Sequence, residues 1–134
     1  MIYLAAWLLV ASCTKDKGDE PLVVTEQELQ GAWTWTRTQG GIANQINETP
    51  ASEGKTVEIQ FLTGKNYLIR TNGITTSQGT YELVSSPCIH SEAPKTLIDL
   101  SNDEDLMVEA ISDDALHLSD DFHDGLHFYY DRKP

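Results

Sequence analysis

Apolar and polar residues alternate along most of the chain after residue 32. In residues 33–38 two tryptophans alternate with threonines, and residues 57–61 alternate valine, isoleucine and phenylalanine with glutamate and glutamine. A period of two puts successive side chains on opposite faces of a strand, so one face of each segment can be buried. The same pattern, bounded by turn residues, predicts eight strands. They cover residues 33–38, 57–61, 67–70, 74–84, 96–101, 106–111, 115–118 and 126–132.

The connections between these strands are mostly short, which favours antiparallel neighbours. Asn72-Gly73 is a strong hairpin signal because both residues tolerate positive φ, and Gly79 indicates a bulge or kink within its strand. Eight antiparallel strands can close into an up-and-down barrel, which leaves no exposed edge. A sandwich of the same strands is the alternative. Longer loops are expected at residues 39–55, 85–95 and 119–125.

One helical signal precedes the strands. Thr25 followed by Glu28 forms a capping box, and Gly31 is a typical helix stop. The helix between them is about one to two turns long. The predicted fold is therefore all-β, a small eight-stranded antiparallel up-and-down barrel preceded by a short N-terminal helix.

The first residues of the chain have the character of a targeting segment. Residues 2–11 are a continuous apolar run, which is too short to span a bilayer but fits the core of a secretory signal. No Lys or Arg precedes the run, although signal peptides have a basic first region, so we expect that the start codon lies upstream or that the chain is a fragment. Residues 14–21 are polar and charged, as expected of a flexible tether.

The apolar run ends in Val10-Ala11-Ser12-Cys13, which resembles the lipobox of bacterial lipoproteins. The resemblance implies that Cys13 is acylated and becomes the mature N-terminus. The alternative is a buried N-terminal strand that contains a cysteine. The expected division is a signal peptide (1–12), an acylated cysteine with its tether (13–24) and a barrel domain (25–134). The expected location is the outer membrane of a Gram-negative bacterium, facing the periplasm or exposed at the surface.

Charge narrows the range of partners. The chain has 21 acidic and 9 basic residues, a formal net charge of −12. Binding to nucleic acid or to anionic lipid requires Lys and Arg, so no nucleic-acid partner is expected. Contact with the membrane is expected only through the lipid anchor. The length after the signal suits one domain.

Gly31-Ala32-Trp33, directly after the helix and at the start of the first strand, resembles the Gly-x-Trp signature of lipocalins. In that family the tryptophan closes one end of the barrel, and a basic residue from the last strand packs over it. The resemblance assigns these two roles to Trp33 and Arg132. Its other matching pieces are Gly40-Gly41-Ile42, Thr49-Pro50, Gly79-Thr80-Tyr81, Leu116-His117-Leu118-Ser119-Asp120 and Asp124-Gly125.

The longer pattern, over residues 25–132, is similar to the short lipocalin-like lipoproteins of Gram-negative bacteria. An eight-stranded barrel has room for side chains or for one small ligand. We therefore expect the barrel to bind a small apolar or amphipathic molecule, with tyrosine hydroxyls to orient it. The expected ligand-binding residues are those that the alternation turns inward: Trp35, Phe61, Tyr67, Ile69, Tyr81, Phe128 and Tyr130.

The alternative is a filled barrel that acts through its loops as a protein-interaction or inhibitor module. Its partner would bind the 39–55 and 85–95 loops, and Asn44, Gln45 and Asn47 would contribute to binding. Substitutions of these three residues would weaken binding of the partner but would have no effect on a ligand held inside the barrel. Changes at Tyr67 or Phe61 would abolish ligand binding in the first case and mainly reduce stability in the second.

Two further groups of residues could carry chemistry. If Leu118 pairs with Leu126, His117 lies opposite His127, and the two imidazoles could hold a transition metal with His123 or Asp124; solvated side chains are the favoured interpretation. Cys88 and His90 are spaced like part of a metal site or a nucleophile–base pair, but no second cysteine or oxyanion motif accompanies them. No catalytic motif occurs, so neither an enzyme nor a cofactor is expected.

Overall fold

A computed structural model describes residues 23–85, 95–120 and 125–134. The elements in these ranges are α1 (Glu26–Leu29), β1 (Gly31–Gly40), a 3₁₀ turn (Ile42–Asn44), β2 (Ile46–Glu48), α2 (Pro50–Glu53), β3 (Val57–Leu62), β4 (Asn66–Thr71), β5 (Ile74–Ser85), β6 (Thr96–Leu100), β7 (Leu106–Ile111), β8 (Ala115–Ser119) and β9 (Leu126–Arg132).

Eight of these strands form a closed antiparallel barrel. β1 pairs with β3, each strand from β3 to β8 pairs with the next, and β9 returns to pair with β1. The short strand β2 is an addition that pairs with the last residues of β1. The predicted fold class, an up-and-down barrel preceded by a short helix, is therefore confirmed. The sandwich alternative is excluded because β1 and β9 are hydrogen-bonded neighbours.

The segment 39–55, expected as a long loop, is mostly ordered structure. β1 continues to Gly40, and a 3₁₀ turn, β2 and α2 follow before β3. α2 has a capping box between Thr49 and Ser52 and a proline at its first position. The sequence reading missed these elements because each is only three or four residues long and none has a measurable hydrophobic period.

Three bulges interrupt the strand pairing of the described residues, at Thr36 in β1, Thr76 in β5 and Glu109 in β7. In β1 the register shifts between Trp35 and Arg37, so Thr36 is the extra residue and Thr38 turns inward, where it is buried. In β5 the extra residue is Thr76, opposite Ile69 and Arg70, and the bulge predicted at Gly79 is wrong.

Gly79 has a different role, because a Cβ at this position would collide with the side chains of Ser101 and Asn102. The absence of a side chain lets the turn that follows β6 pack directly against β5. The glycine was recognised from the sequence, but the contact that requires it lies more than twenty residues away along the chain.

α1 lies across one end of the barrel, which we call the α1 end. Its capping box has the predicted form, with Glu28 N donating to Thr25 Oγ1 and Thr25 N donating to the Glu28 carboxylate. Leu29 is fully buried. Val24, assigned to the tether, is also buried and its N–H donates to Thr96 Oγ1 at 3.2 Å. Packing against the barrel therefore includes Val24, one residue before the predicted start of the barrel domain.

The barrel interior is packed with large apolar side chains. Burying them supplies the main favourable term for folding, about 25 cal/mol per Å² of apolar surface removed from water. The buried core consists of Val24, Leu29, Trp33, Ile59, Phe61, Tyr67, Tyr81, Ile98, Leu100, Val108, Leu116 and Leu118.

Neither α1 nor α2 is long and apolar enough to cross a bilayer, and the described ranges contain no other helix that is. The expected signal peptide and Cys13 lie outside the described residues, as do Cys88, His90, His123 and Asp124.

Candidate functional site

Trp33 and Arg132, the two residues assigned by resemblance to one end of the barrel, are in contact there. The Arg132 guanidinium lies 4.1 Å from the centre of the Trp33 ring, and Trp33 Nε1 donates to Leu29 O at 2.9 Å. Nη1 and Nη2 of Arg132 donate to the carbonyls of Gln30 and Glu28, and Nε donates to Asp113 O. These bonds satisfy carbonyls at the end of α1 that have no helical partner, so a single cation joins the helix, β9 and the β7–β8 turn.

The contacts of α1 reach around the rim of the same end. Lys65, in the β3–β4 turn, forms an ion pair with Glu26 at 3.7 Å, and Val24 contacts the start of β6 through Thr96. Thr25 and Asp113 help to line a cavity of about 290 Å³ beside the helix. The helix therefore touches turns and strand ends from three sides of the barrel, and this end is closed.

The seven expected ligand-binding residues all point into the barrel but differ in their exposure. Four of them are buried: Trp35, Phe61, Tyr67 and Tyr81. Ile69, Phe128 and Tyr130 pack against the core yet keep part of their surface accessible. Leu106 behaves in the same way.

Inward side chains with accessible surface occur toward both ends of the barrel. Ile69 is in the second half of β4, Phe128 is near the start of β9 and Leu106 begins β7, and in an up-and-down barrel these positions lie toward the end that is opposite α1. Leu83 and Ile111 are also partly accessible but lie near the ends of β5 and β7, toward the α1 end. The two ends therefore differ because α1 and Arg132 cover one of them, and Ile69, Leu106 and Phe128 lie toward the end that α1 does not cover.

The buried aromatic residues stabilise one another. The rings of Phe61 and Tyr81 meet edge to face, with centroids 5.2 Å apart and planes at 75°, an arrangement worth about 0.5–1.5 kcal/mol beyond area burial. Trp35 Nε1 donates to Thr38 Oγ1 at 2.9 Å, which is possible because the bulge in β1 turns Thr38 inward. Phe61 and Tyr81 are therefore core residues first, and a ligand would meet them only at depth.

Two tyrosine hydroxyls inside the barrel lack a hydrogen-bond partner among the described residues. The Tyr81 hydroxyl is buried and unpaired, and burial raises its pKa. Burial raises the pKa of Tyr130 to about 12, and none of the hydrogen bonds of the described residues involves its hydroxyl. A buried polar group without a partner is costly, so the Tyr81 hydroxyl would be stabilised by a bond to a bound molecule or to water. The Tyr130 hydroxyl can also bond to a ligand, but this side chain keeps part of its surface accessible.

The third tyrosine is tied to an acid that sequence reasoning did not select. Tyr67 Oη donates to Asp103 Oδ2 at 2.5 Å, and Ser77 Oγ donates to the same oxygen at 2.6 Å. Asn102 N donates to Tyr67 Oη at 3.2 Å. Burial and the bond to Asp103 both raise the pKa of Tyr67. Asp103 is exposed in the β6–β7 turn and binds hydroxyls that reach it from inside the barrel.

The only signal for Asp103 in the sequence was its place in an acidic turn, Asn102-Asp103-Glu104-Asp105, where Asp and Asn are expected for backbone reasons. Nothing local distinguishes it from Glu104 or Asp105. Its partners are more than twenty residues away, on β4 and β5, so only the fold brings them together.

The two histidines meet on the outer wall, although in a different register from the one expected. His117 pairs directly with Tyr129, and His127 pairs with Ser119, because Leu118 lies opposite Phe128 rather than Leu126. The rings still touch, with His117 Nε2 and His127 Nδ1 2.8 Å apart, which is a hydrogen-bond distance. The His117 ring also stacks on Tyr129 at 4.4 Å.

Charged groups surround this pair. Lys95 Nζ donates to Glu109 Oε1 at 2.7 Å and Ser119 Oγ donates to Oε2 at 2.6 Å. Burial pulls the pKa of Glu109 upward, but these two hydrogen bonds outweigh it and the pKa lies below its ordinary value. Burial, and then His127, lower the pKa of His117. Among the described residues no group of three or more His, Cys, Asp or Glu could hold a metal ion.

The outer wall also carries a cavity of about 320 Å³, lined in part by Arg37, His117 and Tyr129. The guanidinium of Arg37 lies 5.4 Å from the centre of the Tyr129 ring. The inward residues Ile111, Leu116 and Tyr130 also contribute to the lining of this cavity.

The loops of the alternative hypothesis are only partly described. In the 39–55 segment Ile42 is 74% exposed, and Ala43 and Asn44 both have positive φ. Gln45 directly precedes β2, and Asn47 lies within it. Of the 85–95 loop, residues 86–94 lie outside the described ranges.

Comparison with known proteins gives no match to a family model, to a curated protein or to a solved structure. The geometry of the barrel is therefore the basis for an inference of function.

Proposed function

We propose that the barrel binds a small apolar or amphipathic molecule, which enters through the end opposite α1. One observation carries the proposal: α1 and Arg132 close one end, while the inward side chains Ile69, Leu106 and Phe128 stay partly accessible toward the other. Small-molecule sites are typically concave and apolar with a few placed polar groups. This interior combines an apolar wall with the unpaired hydroxyls of Tyr81 and Tyr130.

The mechanism is sequestration rather than catalysis. An apolar ligand leaves water for the partly open half of the barrel and covers the side chains that are accessible there, which is favourable by about 25 cal/mol per Å². A polar group on the ligand that reaches a free hydroxyl gains a hydrogen bond and relieves the cost of leaving that hydroxyl unpaired.

The proposal includes a cellular location. The apolar run of residues 2–11 and the small residues before Cys13 support export, acylation of Cys13 and residence in the outer membrane of a Gram-negative bacterium. The position of Trp33 directly after a short helix, with Arg132 over it, supports kinship with the short lipocalin-like lipoproteins. Labelling with a fatty acid in cells that express the full chain tests the anchor, and Cys13→Ala should remove the label.

Native mass spectrometry tests the ligand on the full chain with Cys13→Ala, which carries no acyl anchor and is purified without detergent from a bacterial extract. We expect added mass that survives gentle ionisation and disappears on denaturation. A clean apo mass, together with no uptake of a neutral naphthylamine fluorophore, would contradict ligand binding.

Adjacent residues of β4 provide a matched pair of variants. Ile69 points inward and is partly accessible, whereas Leu68 pairs with Gln60 and Gln78 on the outer face. Ile69→Ala should weaken binding of the fluorophore several-fold, and Leu68→Ala should leave it unchanged. Equal effects of the two changes would mean that the probe binds to the outer surface.

A second function is favoured by the exposed end of β1. The large apolar side chain of Ile42 is exposed to solvent. The two residues after it adopt a left-handed backbone conformation with positive φ, which is uncommon for residues other than glycine. An apolar side chain presented by a strained turn suits a protein partner. Ile42→Ser, Asn44→Ala and Asn47→Ala should then reduce capture of that partner and leave the fluorophore titration unchanged.

A further inference from the structure

The positions of the basic residues constrain what the barrel can hold. The chain has nine Lys and Arg, of which Lys15 and Lys17 lie outside the described ranges. The sequences of the undescribed segments 86–94 and 121–124 contain neither Lys nor Arg. The seven that are described are Arg37, Lys55, Lys65, Arg70, Lys95, Arg132 and Lys133.

Five of these seven form ion pairs or hydrogen bonds on the outer face of the barrel or at its α1 end. Lys65 pairs with Glu26 and Glu82, and Lys95 pairs with Glu109 on the outer wall. Arg70 and Lys133 both pair with the Glu58 carboxylate, at 3.1 and 3.0 Å.

Arg132 is the fifth. Its three nitrogens donate to carbonyls at the α1 end, and its guanidinium covers the fully buried Trp33.

The two remaining cations are at the surface. Arg37 lies over Tyr129 on the outer wall. Lys55 is exposed just after α2, before the start of β3, and therefore lies at the end of the barrel opposite α1. Among the described residues, Arg132 is the Lys or Arg on the inward face, and it is held at the α1 end, so none lies on the inward face at the end where Ile69, Leu106 and Phe128 are accessible.

The charged group that the inward side chains do contact is an anion. Asp103 Oδ2 accepts hydrogen bonds from Tyr67 and Ser77, both of which point inward from β4 and β5. The turn that carries Asp103 also holds Glu104 and Asp105, all exposed at the end opposite α1. The accessible end of the interior thus has a carboxylate bonded to its wall.

From this distribution of charge we propose that the barrel selects amphiphiles with a positively charged head group, placed at Asp103, and discriminates against carboxylates such as fatty acids. The inference rests on the proposed function, because it assigns the ligand class of the same interior. A carboxylate drawn into the open half would leave water without a cation to pair with, beside an acid that repels it. An ammonium group in the same place gains the attraction of Asp103 while its chain covers the apolar wall.

The test uses two ligands of equal chain length and opposite charge, decylammonium and decanoate. Each is titrated against the full-length protein loaded with a neutral naphthylamine fluorophore, below the concentration at which either ligand forms micelles. We expect decylammonium to displace the fluorophore at a concentration at least about fivefold lower than decanoate, the ratio that one exposed charge contact gives. Decanoate binding as well as or better than decylammonium would overturn the inference and leave the proposed function standing.

Failure of the proposed function looks different, because the fluorophore itself would then not bind. A protein with net charge −12 attracts cations in general. Two variants that each remove one negative charge separate this general attraction from a specific contact at Asp103. Asp103→Asn should lower the preference for decylammonium several-fold, whereas Glu104→Gln, in the same turn, should change it little. Equal effects of the two would assign the preference to overall charge and overturn the role of Asp103.

Lys55 supplies the remaining check, since it is exposed at the accessible end, where Arg70 is already paired with Glu58 on the outer face. Lys55→Gln should not weaken decanoate relative to decylammonium. A loss of decanoate binding in this variant would show that Lys55 receives carboxylates, and the proposed selectivity would be wrong.

Discussion

At the scale of single residues, hydrogen bonding inside the barrel is nearly complete among the described residues. Trp33 and Trp35 both donate their indole N–H, and Tyr67 both donates and accepts. Tyr81 is the described residue with a buried side-chain oxygen that has no partner. Buried polar groups are normally satisfied, so this hydroxyl marks the deepest place where a ligand or a water molecule would be stabilised.

His117 on the outer wall gives the protein a pH-dependent stability, because its pKa differs between the folded and unfolded chain. The pKa of His117 is lowered from 6.5 by burial and by His127, while Glu109 raises it and Lys95 lowers it. As pH falls, His117 is therefore protonated in the unfolded chain before it is protonated in the folded protein. The stability that the neutral His117 ring contributes is complete above pH 6.5 and is lost as pH falls through the lower folded-state pKa.

We expect the free energy of unfolding to fall more steeply from pH 7 to pH 5 in the natural protein than in His117→Gln. Urea unfolding at a series of pH values measures the difference. Carboxylates that do not interact with His117 titrate alike in both proteins and cancel in the comparison, whereas Glu109 is coupled to His117 and is part of the measured difference. Parallel curves would show that His117 does not contribute to this pH dependence.

At the scale of elements, two one-turn helices have the same capping chemistry but different environments. α1 and α2 each begin with a threonine whose side chain accepts from the third residue of the helix. α1 buries Leu29 and closes the barrel, whereas α2 buries no residue. Helices this short are unstable alone, so the tertiary contacts decide what each cap contributes.

Thr25→Ala and Thr49→Ala form a matched pair that separates the two cases. Loss of an N-cap costs about 1 kcal/mol. Thr25→Ala should lower the global free energy of unfolding by about this amount, because fraying of α1 uncovers Leu29 and Trp33. Thr49→Ala should lower it by less than half as much and instead speed local hydrogen exchange in residues 50–53. Equal losses in urea unfolding would show that α1 is not part of the cooperative unit.

At the scale of the whole molecule, the barrel depends on its closing seam. β1 pairs with β9 along most of its length, and this pairing joins the two ends of the sheet. Gly40 has a φ of 126°, and a Cβ there would collide with the carbonyl of Gly125. The close approach of the two backbones at one end of the seam therefore requires glycine. Arg132 holds the other end of the seam.

Arg132→Gln should destabilise the protein by about 2–4 kcal/mol, since it removes charged hydrogen bonds to three carbonyls and the contact with the Trp33 ring. Arg70→Gln is the control, because Arg70 makes a half-exposed pair with Glu58 on the outer face, and such pairs contribute about 0–1 kcal/mol. Chemical unfolding measures both. A loss no larger at Arg132 than at Arg70 would mean that the α1 end is held by packing alone.

The sequence by itself determined the eight barrel strands, the capping box of α1 and the inward direction of the aromatic residues. These features are local, because a period of two and a helix cap depend on residues a few positions apart. Such a pattern is unchanged when a strand slides by two residues. For this reason the sequence placed His117 opposite His127, and only the fold showed that it pairs with Tyr129.

Tertiary structure decided everything that depends on distant pairing. The bulges at Thr36 and Thr76 arise from the match between neighbouring strands, and they determine that Thr38 lies inside the barrel. Asp103 looked like an ordinary turn residue until packing against Gly79 brought its turn to Tyr67 and Ser77. Which inward side chains remain accessible was decided in the same way, because the alternation marks a side chain as inward but only the packed barrel determines how much of its surface is covered.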